Sequence, residues 1–386
     1  MQTIYLDYNS TTPVDPLVLE TMLPFFTEKF GNAASRTHRY GWTAEAVVEK
    51  ARGQVAGMIG AEPAEIIFTS GATESLNLAL RGAMEAYRSK GRHLVVCAAE
   101  HKAVLDTARD LAFSGVETSV LGVDHEGIID LQELEKLIRE DTVLVAVMQA
   151  NNETGVIQDA EAIGRLCRER GTLFLSDSTQ AAGKIRVDVQ EQRMDLCSLS
   201  AHKLYGPKGV GALYVRRKNP RVKLLAEISG GGHEQGLRSG TLNVPGIVGF
   251  GEACQLAAER LWEYGTHTSR WRTFLEQQLT VERKHGFING SIRSRLPNTS
   301  NLCFPGMRSE HLIKALPEIA MSMGSACTSA LPQPSHVLQS MGRKDDEIFS
   351  SVRISIGKDT TEAEIREAIL RIGMELDKAG LTPPAV

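Results

Sequence analysis

Lys203 is the residue of this chain best placed for covalent chemistry. It follows an apolar strand candidate within Ser198-Leu199-Ser200-Ala201-His202-Lys203-Leu204-Tyr205-Gly206-Pro207-Lys208-Gly209, in the company of serine, histidine and a Gly/Pro-rich turn. An amine so placed is suited to form an imine with a carbonyl; the plainer alternative is a solvated surface charge. Asp177 directly follows the apolar run 172–176, with Gln180 three residues on. Carboxylates at the C-terminal ends of parallel strands face the crevice where ligands bind, although Asp177 could equally cap a helix through Thr179 to Ala182. In Thr69-Ser70-Gly71-Ala72-Thr73-Glu74 a strand ends in a small-residue turn and a helix begins. Free N–H groups at such a start, helped by a hydroxyl, suit a phosphate, while Ser and Thr as simple N-caps explain the same pattern. Cys327 stands between Gly324-Ser325-Ala326 and Thr328-Ser329-Ala330 rather than in an apolar run, so a mobile surface loop is expected there. A thiolate on such a loop could attack a bound substrate and then present its cargo elsewhere, given a neighbour that lowers its pKa.

These groups need a scaffold. Residues 65–69, 93–98, 142–148 and 172–176 read as strands, and Leu76, Ala79, Leu80, Ala83, Met84 and Tyr87 share one face of an intervening helix. The alternation predicts an α/β domain on a mainly parallel sheet. After Gly249 a helical stretch rich in Ala, Glu and Arg runs to about Lys284. Beyond it lie strand candidates at 299–304 and 352–356, then a helix with Ile365, Ala368, Ile369, Ile372 and Leu376 on one face. We expect a large domain over 16–258 and a smaller α+β domain from 1–15 and 259–386, with the Cys327 loop at about 321–335.

Composition narrows the classes. A chain of 386 residues, 42% hydrophobic, can bury a large core, and its net charge of -4 exerts no global pull on nucleic acid or anionic membrane. The basic cluster Arg216-Arg217-Lys218 with Arg221 and Lys223 reads as a solvated hairpin edge, and no direct nucleic-acid binding is expected. The N-terminus lacks a basic, then apolar, leader and the apolar runs are too short to span a bilayer, so a cytoplasmic location without membrane attachment is expected. Cys97, Cys167, Cys197, Cys254 and Cys303 read as small core residues, and no Cys/His spacing suggests a metal or a disulfide framework.

Read in order, Tyr5-Leu6-Asp7-Tyr8, the run Thr69 to Glu74, Glu100-His101-Lys102-Ala103-Val104, Asn151-Asn152-Glu153, Asp177 with Gln180, Ser200-Ala201-His202-Lys203, Gly230-Gly231-Gly232-His233-Glu234, Arg238-Ser239-Gly240-Thr241 and Gly324-Ser325-Ala326-Cys327-Thr328-Ser329 resemble the NifS/IscS cysteine desulfurases, which are fold-type I pyridoxal-phosphate enzymes of the class V aminotransferase family. The resemblance covers nearly the entire chain. It implies a large domain on a mainly parallel seven-stranded sheet, pyridoxal 5'-phosphate as cofactor, and conversion of L-cysteine to L-alanine. Sulfur is left as a persulfide on Cys327 for an acceptor protein of iron-sulfur assembly, tRNA thiolation or DNA phosphorothioation.

Carried onto this chain, the resemblance implies that Lys203 attaches the cofactor and then serves as acid and base, which requires a lowered amine pKa. Asp177 pairs with the pyridine nitrogen, Gln180 bonds the ring hydroxyl oxygen, and His101 stacks on the ring and moves protons. Ala72, Thr73, Ser200 and His202 hold the phosphate, completed by a threonine from the other subunit of an obligate homodimer, a place that Thr241 occupies. Asn152, beside the cofactor, and Arg353 bind the substrate carboxylate; from its residue context alone, Arg353 is a strand-edge surface charge. Met323 departs from the family's usual serine, Pro332 adds rigidity near Pro334, and Gln149 stands where many relatives have histidine. The end at Val386 falls short of the tail by which scaffold-docking members bind, leaving room for a specialised acceptor. The alternatives are another fold-type I enzyme, such as an aminotransferase or selenocysteine lyase, in which Cys327 is dispensable, and a non-catalytic sulfur-relay protein.

Overall fold

A computed structural model describes residues 3–323 and 333–380. Its centre is one sheet of seven strands in the order Ile66–Thr69, Gly211–Val215, Leu196–Ser200, Leu173–Asp177, Thr142–Ala146, His93–Cys97, Glu117–Leu121. Gly211–Val215 runs antiparallel to both neighbours and every other pairing is parallel, so the sheet is the mainly parallel one expected. Successive side chains of a strand point to opposite faces, and helices cover both faces of such a sheet. Val95, Val145 and Phe174 accordingly join a core with Val48 and Val55 of the helix Arg39–Met58 and Ile247 and Phe250 of the helix Val244–Glu259. Leu94, Leu144 and Leu173 point the other way, toward Leu76 and Leu80 of the helix Ala72–Ala86 and Val104 of the helix Lys102–Ala112. The two helices on the first face touch at their backbones, since a Cβ at Gly251 would lie 2.6 Å from Ala51 Cα.

The helical stretch expected to about Lys284 is two helices, Val244–Glu259 and Leu261–Glu276, joined at Arg260 and followed by a π-helical turn, Gln277–Glu282. Beyond it an antiparallel sheet pairs Ser351–Ser355 with Thr299–Cys303 and Thr299–Cys303 with Phe287–Ile288. Leu302, Val352 and Ile354 pack against Leu275 and against Ile365 and Ile372 of the helix Glu362–Lys378. The short strand Ile4–Tyr5 lies parallel to Ile319–Ala320, so the N-terminus begins in this smaller unit. It then crosses to the larger one, where Thr12 N donates to His202 O at 3.0 Å and Asp15 N to Tyr205 O at 2.9 Å.

All five cysteines outside the Cys327 segment are buried. The basic cluster is not wholly the solvated edge expected, because Arg216 is buried. Its Nη2 donates to Val189 O at 3.0 Å and Met194 O at 2.7 Å, its Nη1 donates to Gln190 Oε1 at 3.0 Å, and Asp195 lies 3.3 Å from its Nε. A side chain that saturates buried carbonyls is a structural tie, not a phosphate contact. Among the described residues no helix is long and apolar enough to cross a membrane.

A second buried pair fixes the Gly-rich loop that carries Arg238 and Thr241. Arg52 Nη1 and Nη2 grip Glu234 Oε2 and Oε1 at 2.8 and 2.7 Å, and Glu234 Oε2 also accepts Phe68 N at 2.6 Å. Removing one partner of such a pair leaves a charge stranded in the interior. Glu234→Ala is therefore expected to lower stability by roughly 3–5 kcal/mol, seen as an earlier midpoint in urea; an unmoved midpoint would show that the pair is dispensable.

Candidate active site

One cleft of about 510 Å³ is lined by Ala72, Thr73, His101, Asn152, Asp177, Gln180, Ser200, His202, Lys203 and Arg353. The topology explains their meeting. Thr69, Asp177 and Ser200 each end a strand of the large sheet, and His101 and Asn152 follow closely on two others. The carboxyl ends of those strands therefore open onto a common crevice. Of the other expected site residues, Thr241 is exposed and lies outside this cleft, and Cys327 lies outside the described residues.

Lys203 closes a short 3-10 turn, Ala201–Lys203, directly after its strand. Its Nζ donates to two main-chain carbonyls of the N-terminal segment, Asn9 O at 2.7 Å and Ser10 O at 2.6 Å. Burial and the Arg353 guanidinium push its pKa down to about 8, against the pull of Asp7 and Asp177. The amine is still mostly protonated at pH 7 but yields its proton far more readily than an ordinary lysine.

Asp177 is buried, and its Oδ1 accepts Thr179 N at 2.9 Å. The helix considered at 179–182 is absent: Ala181 N and Ala182 N both return to Ser178 O, and Lys184 N and Ile185 N to Ala181 O, giving successive turns. Gly183, at φ 74°, breaks the run where a left-handed residue is required. Gln180 is buried with Oε1 taken by Lys184 Nζ at 2.5 Å and Nε2 donating to Asn9 O at 2.9 Å. The second hydrogen of Nε2 remains for a ligand.

His101 caps the helix Lys102–Ala112, and its Nδ1 accepts Ala103 N at 3.1 Å. A neutral ring held in this way carries its proton on Nε2. Its pKa is lowered by the surrounding protein, with Lys203 and His336 adding to burial and Asp177 and Asp106 opposing. His202, whose Nδ1 lies 3.1 Å from Thr11 Oγ1, is driven down to about 4 by burial and then by Lys203, Lys208 and Lys184. It is therefore neutral at physiological pH.

The turn after Thr69 gives its first two amides to Glu74 Oε2 and Thr69 Oγ1, and the helix start beyond it is uncapped among the described residues. Gly71 is the N-cap of the helix Ala72–Ala86 and no side chain caps it, which disposes of the simple N-cap explanation for the Ser and Thr residues here. Thr69 Oγ1 is instead 2.8 Å from Ser75 Oγ, and Glu74 Oε2 accepts Ser70 N at 2.8 Å. The turn sits directly on the neighbouring strand, since a Cβ at Gly211 would come within 2.7 Å of Gly71 Cα. Arg238 Nε donates to Glu74 Oε1 at 2.8 Å, tying the turn of Arg238 to Thr241 to this same place.

Arg353 is 3% exposed, so the surface-charge alternative fails. Its Nη1 donates to Asn152 O at 3.0 Å, its Nη2 to Asp7 Oδ1 at 2.8 Å and Ser10 Oγ at 2.7 Å, and its buried Nε has no partner among the described residues. The chain on both sides of the Cys327 segment is fixed beside this cleft. Ser322 and Arg353 exchange main-chain bonds at 3.1 and 2.6 Å, Ser335 Oγ donates to Glu153 Oε2 at 2.5 Å, and His336 Nε2 lies 2.8 Å from Glu100 O.

Asn9 and Lys184 were not among the expected site residues. Asn9 stands one residue past the Tyr5 to Tyr8 motif, and Lys184 stands four past Gln180. That spacing is the only linear signal for Lys184, and many surface lysines share it.

The model of the family described as "Aminotransferase class-V" matches residues 4–367. The cysteine desulfurase IscS of Neisseria meningitidis is 52% identical over 376 residues, 97% of this chain and 92% of the relative. Among solved structures, a NifS-like protein is 39% identical, covers 98% of this chain and 100% of its own, and superposes with a TM-score of 0.91. A structure described as SspA in complex with cysteine is 34% identical over 93% of this chain and 100% of its own, with a TM-score of 0.81.

The lowered Lys203 pKa can be tested without turnover. Below about pH 8 the amine is protonated and inert, and above it the free base reacts, whereas an ordinary lysine needs a pH near 10.5. Acylation of Lys203 in the protein free of ligands, followed by peptide mass spectrometry across pH, is expected to rise with a midpoint near 8; a midpoint near 10.5 would contradict the assigned environment.

Proposed function

The chain belongs to the class-V aminotransferase family, and from that membership we infer that it is a cysteine desulfurase dependent on pyridoxal 5'-phosphate. The observation that carries the reading is the convergence of an easily deprotonated amine, a buried carboxylate, an imidazole and a buried guanidinium on one cleft. The cleft's own chemistry fits the cofactor: it has an amine for the carbonyl carbon, a carboxylate for the ring nitrogen, an uncapped helix start for the phosphate, and a buried Thr179 hydroxyl that lacks a partner among the described residues.

When bound, the cofactor withdraws electrons from the substrate α-carbon and so makes its proton removable. We assign Lys203 Nζ as the attachment point and, once the substrate amine has taken its place, as the base that removes that proton and the acid that returns one. Asp177 keeps the ring nitrogen protonated, and the spare N–H of Gln180 meets the ring oxygen. His101 would lie against the ring and holds a transferable proton on Nε2. Ala72, Thr73, Ser200 and the neutral His202 hold the phosphate by hydrogen bonds. Arg353, through its planar fork, and Asn152 take the substrate carboxylate.

Cys327 accepts the sulfur. Its thiolate attacks the substrate sulfur, so an S–S bond forms as the C–S bond breaks. The electron pair of the broken bond stays on carbon, which takes up the proton released when the Cys327 thiol ionised, the α-proton held by Lys203 returns to the α-carbon to complete L-alanine, and the persulfide is passed to an acceptor protein of iron-sulfur assembly, tRNA thiolation or DNA phosphorothioation. Ser322 and Ser335, on either side of this segment, are anchored at Arg353 and Glu153, which supports delivery of the thiol to this cleft.

The active form is a cytoplasmic homodimer, and the chain divides into a large domain, 16–258, and a small one from 1–15 and 259–386. Leu23, Phe26, Phe30, Tyr40 and Trp42 are each more than half exposed, and the Phe30 and Tyr40 rings lie 5.2 Å apart. An apolar patch of this kind favours burial against a second copy. Thr241, exposed and outside its own cleft, completes the phosphate shell of the other subunit.

Cys327→Ser is expected to bind cofactor and to change its visible spectrum with L-cysteine, yet to release no sulfide. Normal sulfide release by that variant would favour the aminotransferase or lyase alternative. Arg353→Met is expected to raise KM for L-cysteine by on the order of 10²-fold while leaving cofactor affinity within a few-fold. An unchanged KM in steady-state kinetics would remove Arg353 from the substrate site.

A further inference from the structure

Lys184 is 4% exposed and has no established part in the chemistry above. Its Nζ donates to Gln180 Oε1 at 2.5 Å and Asn9 Oδ1 at 3.2 Å, so among the described residues its partners are two neutral amide oxygens. Burying an amine without an anionic partner is unfavourable, and folds seldom retain one without use. The charged groups that face it, Lys203 and Arg353, are both cations, and together with burial they hold its pKa well below the usual lysine range. As a neutral amine it still donates hydrogen bonds.

A donor can engage only the oxygen end of a side-chain amide. Lys184 Nζ, donating to Oε1, and Asn9 O, which can only accept and so faces Nε2, together set which way Gln180 points, with Nε2 toward the cleft. Asn9 is equally constrained. Its Oδ1 also accepts Asn298 Nδ2 at 3.1 Å, and its Nδ2 donates to Thr299 Oγ1 at 2.9 Å and Asn152 O at 3.2 Å. Neither amide can flip without several buried bonds being lost at once.

We propose that Lys184 is a positioning residue that acts through Gln180, fixing its amide so that an N–H rather than a carbonyl oxygen meets the cofactor's ring oxygen. This rests on the desulfurase reading of the cleft. An N–H there stabilises negative charge on the ring oxygen and so lowers the proton affinity of the neighbouring link between Lys203 and the cofactor. Lys184 does this without touching the cofactor, substrate or reacting atoms.

The test is a pH titration of the visible absorbance of the cofactor-loaded protein, without substrate, for wild type, Lys184→Met, Gln180→Ala and the double variant. Each single change is expected to raise the midpoint by roughly five- to tenfold in proton affinity, one hydrogen bond's worth, and the double variant to go no further than either. Additive shifts, or a wild-type midpoint in Lys184→Met beside a raised one in Gln180→Ala, overturn the proposal. A wild-type midpoint in Gln180→Ala overturns the placement of Gln180 against the ring oxygen and the proposal with it. Failure of the wild type to take up the cofactor at all overturns the desulfurase reading instead. Should Lys184→Met not fold, Gln180→Glu keeps an oxygen for Lys184 but presents another to the ring. Its midpoint is expected to rise, and an unchanged or lowered midpoint again overturns the proposal.

Discussion

Two cations, Lys203 and Arg353, share one cleft, and the architecture is organised around making that tolerable. Burial first, and then the neighbouring like charge, make the more easily titrated group release its proton more readily. Lys203 is that group, because a guanidinium keeps its charge at any working pH. The N-terminal segment supplies what remains necessary: Asp7 neutralises Arg353, and the carbonyls of Asn9 and Ser10 receive Lys203. That segment can do so only if it crosses between the two units at a fixed height. Ser355 N bonds Leu6 O at 2.8 Å on the small-unit side, and Thr12 and Asp15 bond main-chain carbonyls of residues 202 and 205 on the large-unit side.

Buried acids then set the rim. Glu100 accepts Met148 N at 2.5 Å, and burial holds its pKa well above the usual carboxylate range. Glu153, likewise raised by burial, accepts Ser335 Oγ. Each spends its oxygens on main-chain or hydroxyl donors, so the loop after Met148 and the start of the helix His336–Ser340 are held by short bonds to protein rather than to water. The ring of His336 reaches the carbonyl of the residue preceding His101, which brings both ends of the Cys327 segment and the proton-carrying imidazole to one neighbourhood.

Much of this was legible in the linear chain because it follows from local rules. Strands with apolar residues on both faces, a helix face through Leu76, Ala79 and Leu80, and a lysine just past a strand all reflect periodicity or punctuation that a few residues carry. The residues that escaped notice act through distant partners. Asn9 bonds side chains or main chain of residues 152, 180, 184, 203, 298, 299 and 355, none of them near it in sequence. Arg216 looked like a solvated cation because its carbonyl partners, Val189 and Met194, belong to a turn that comes beside it only in the fold. A helix through Thr179 to Ala182 stood as an equal alternative because a positive φ at Gly183 has no cost that composition reveals.

We propose that Lys203 alone carries the cofactor, which reduction with borohydride reads out at the residue itself. After reduction of the cofactor-loaded protein and digestion, the account predicts pyridoxyl label on the peptide containing Lys203 and on no other. Label on Lys184, Lys208 or any further lysine, or none at all, would contradict it.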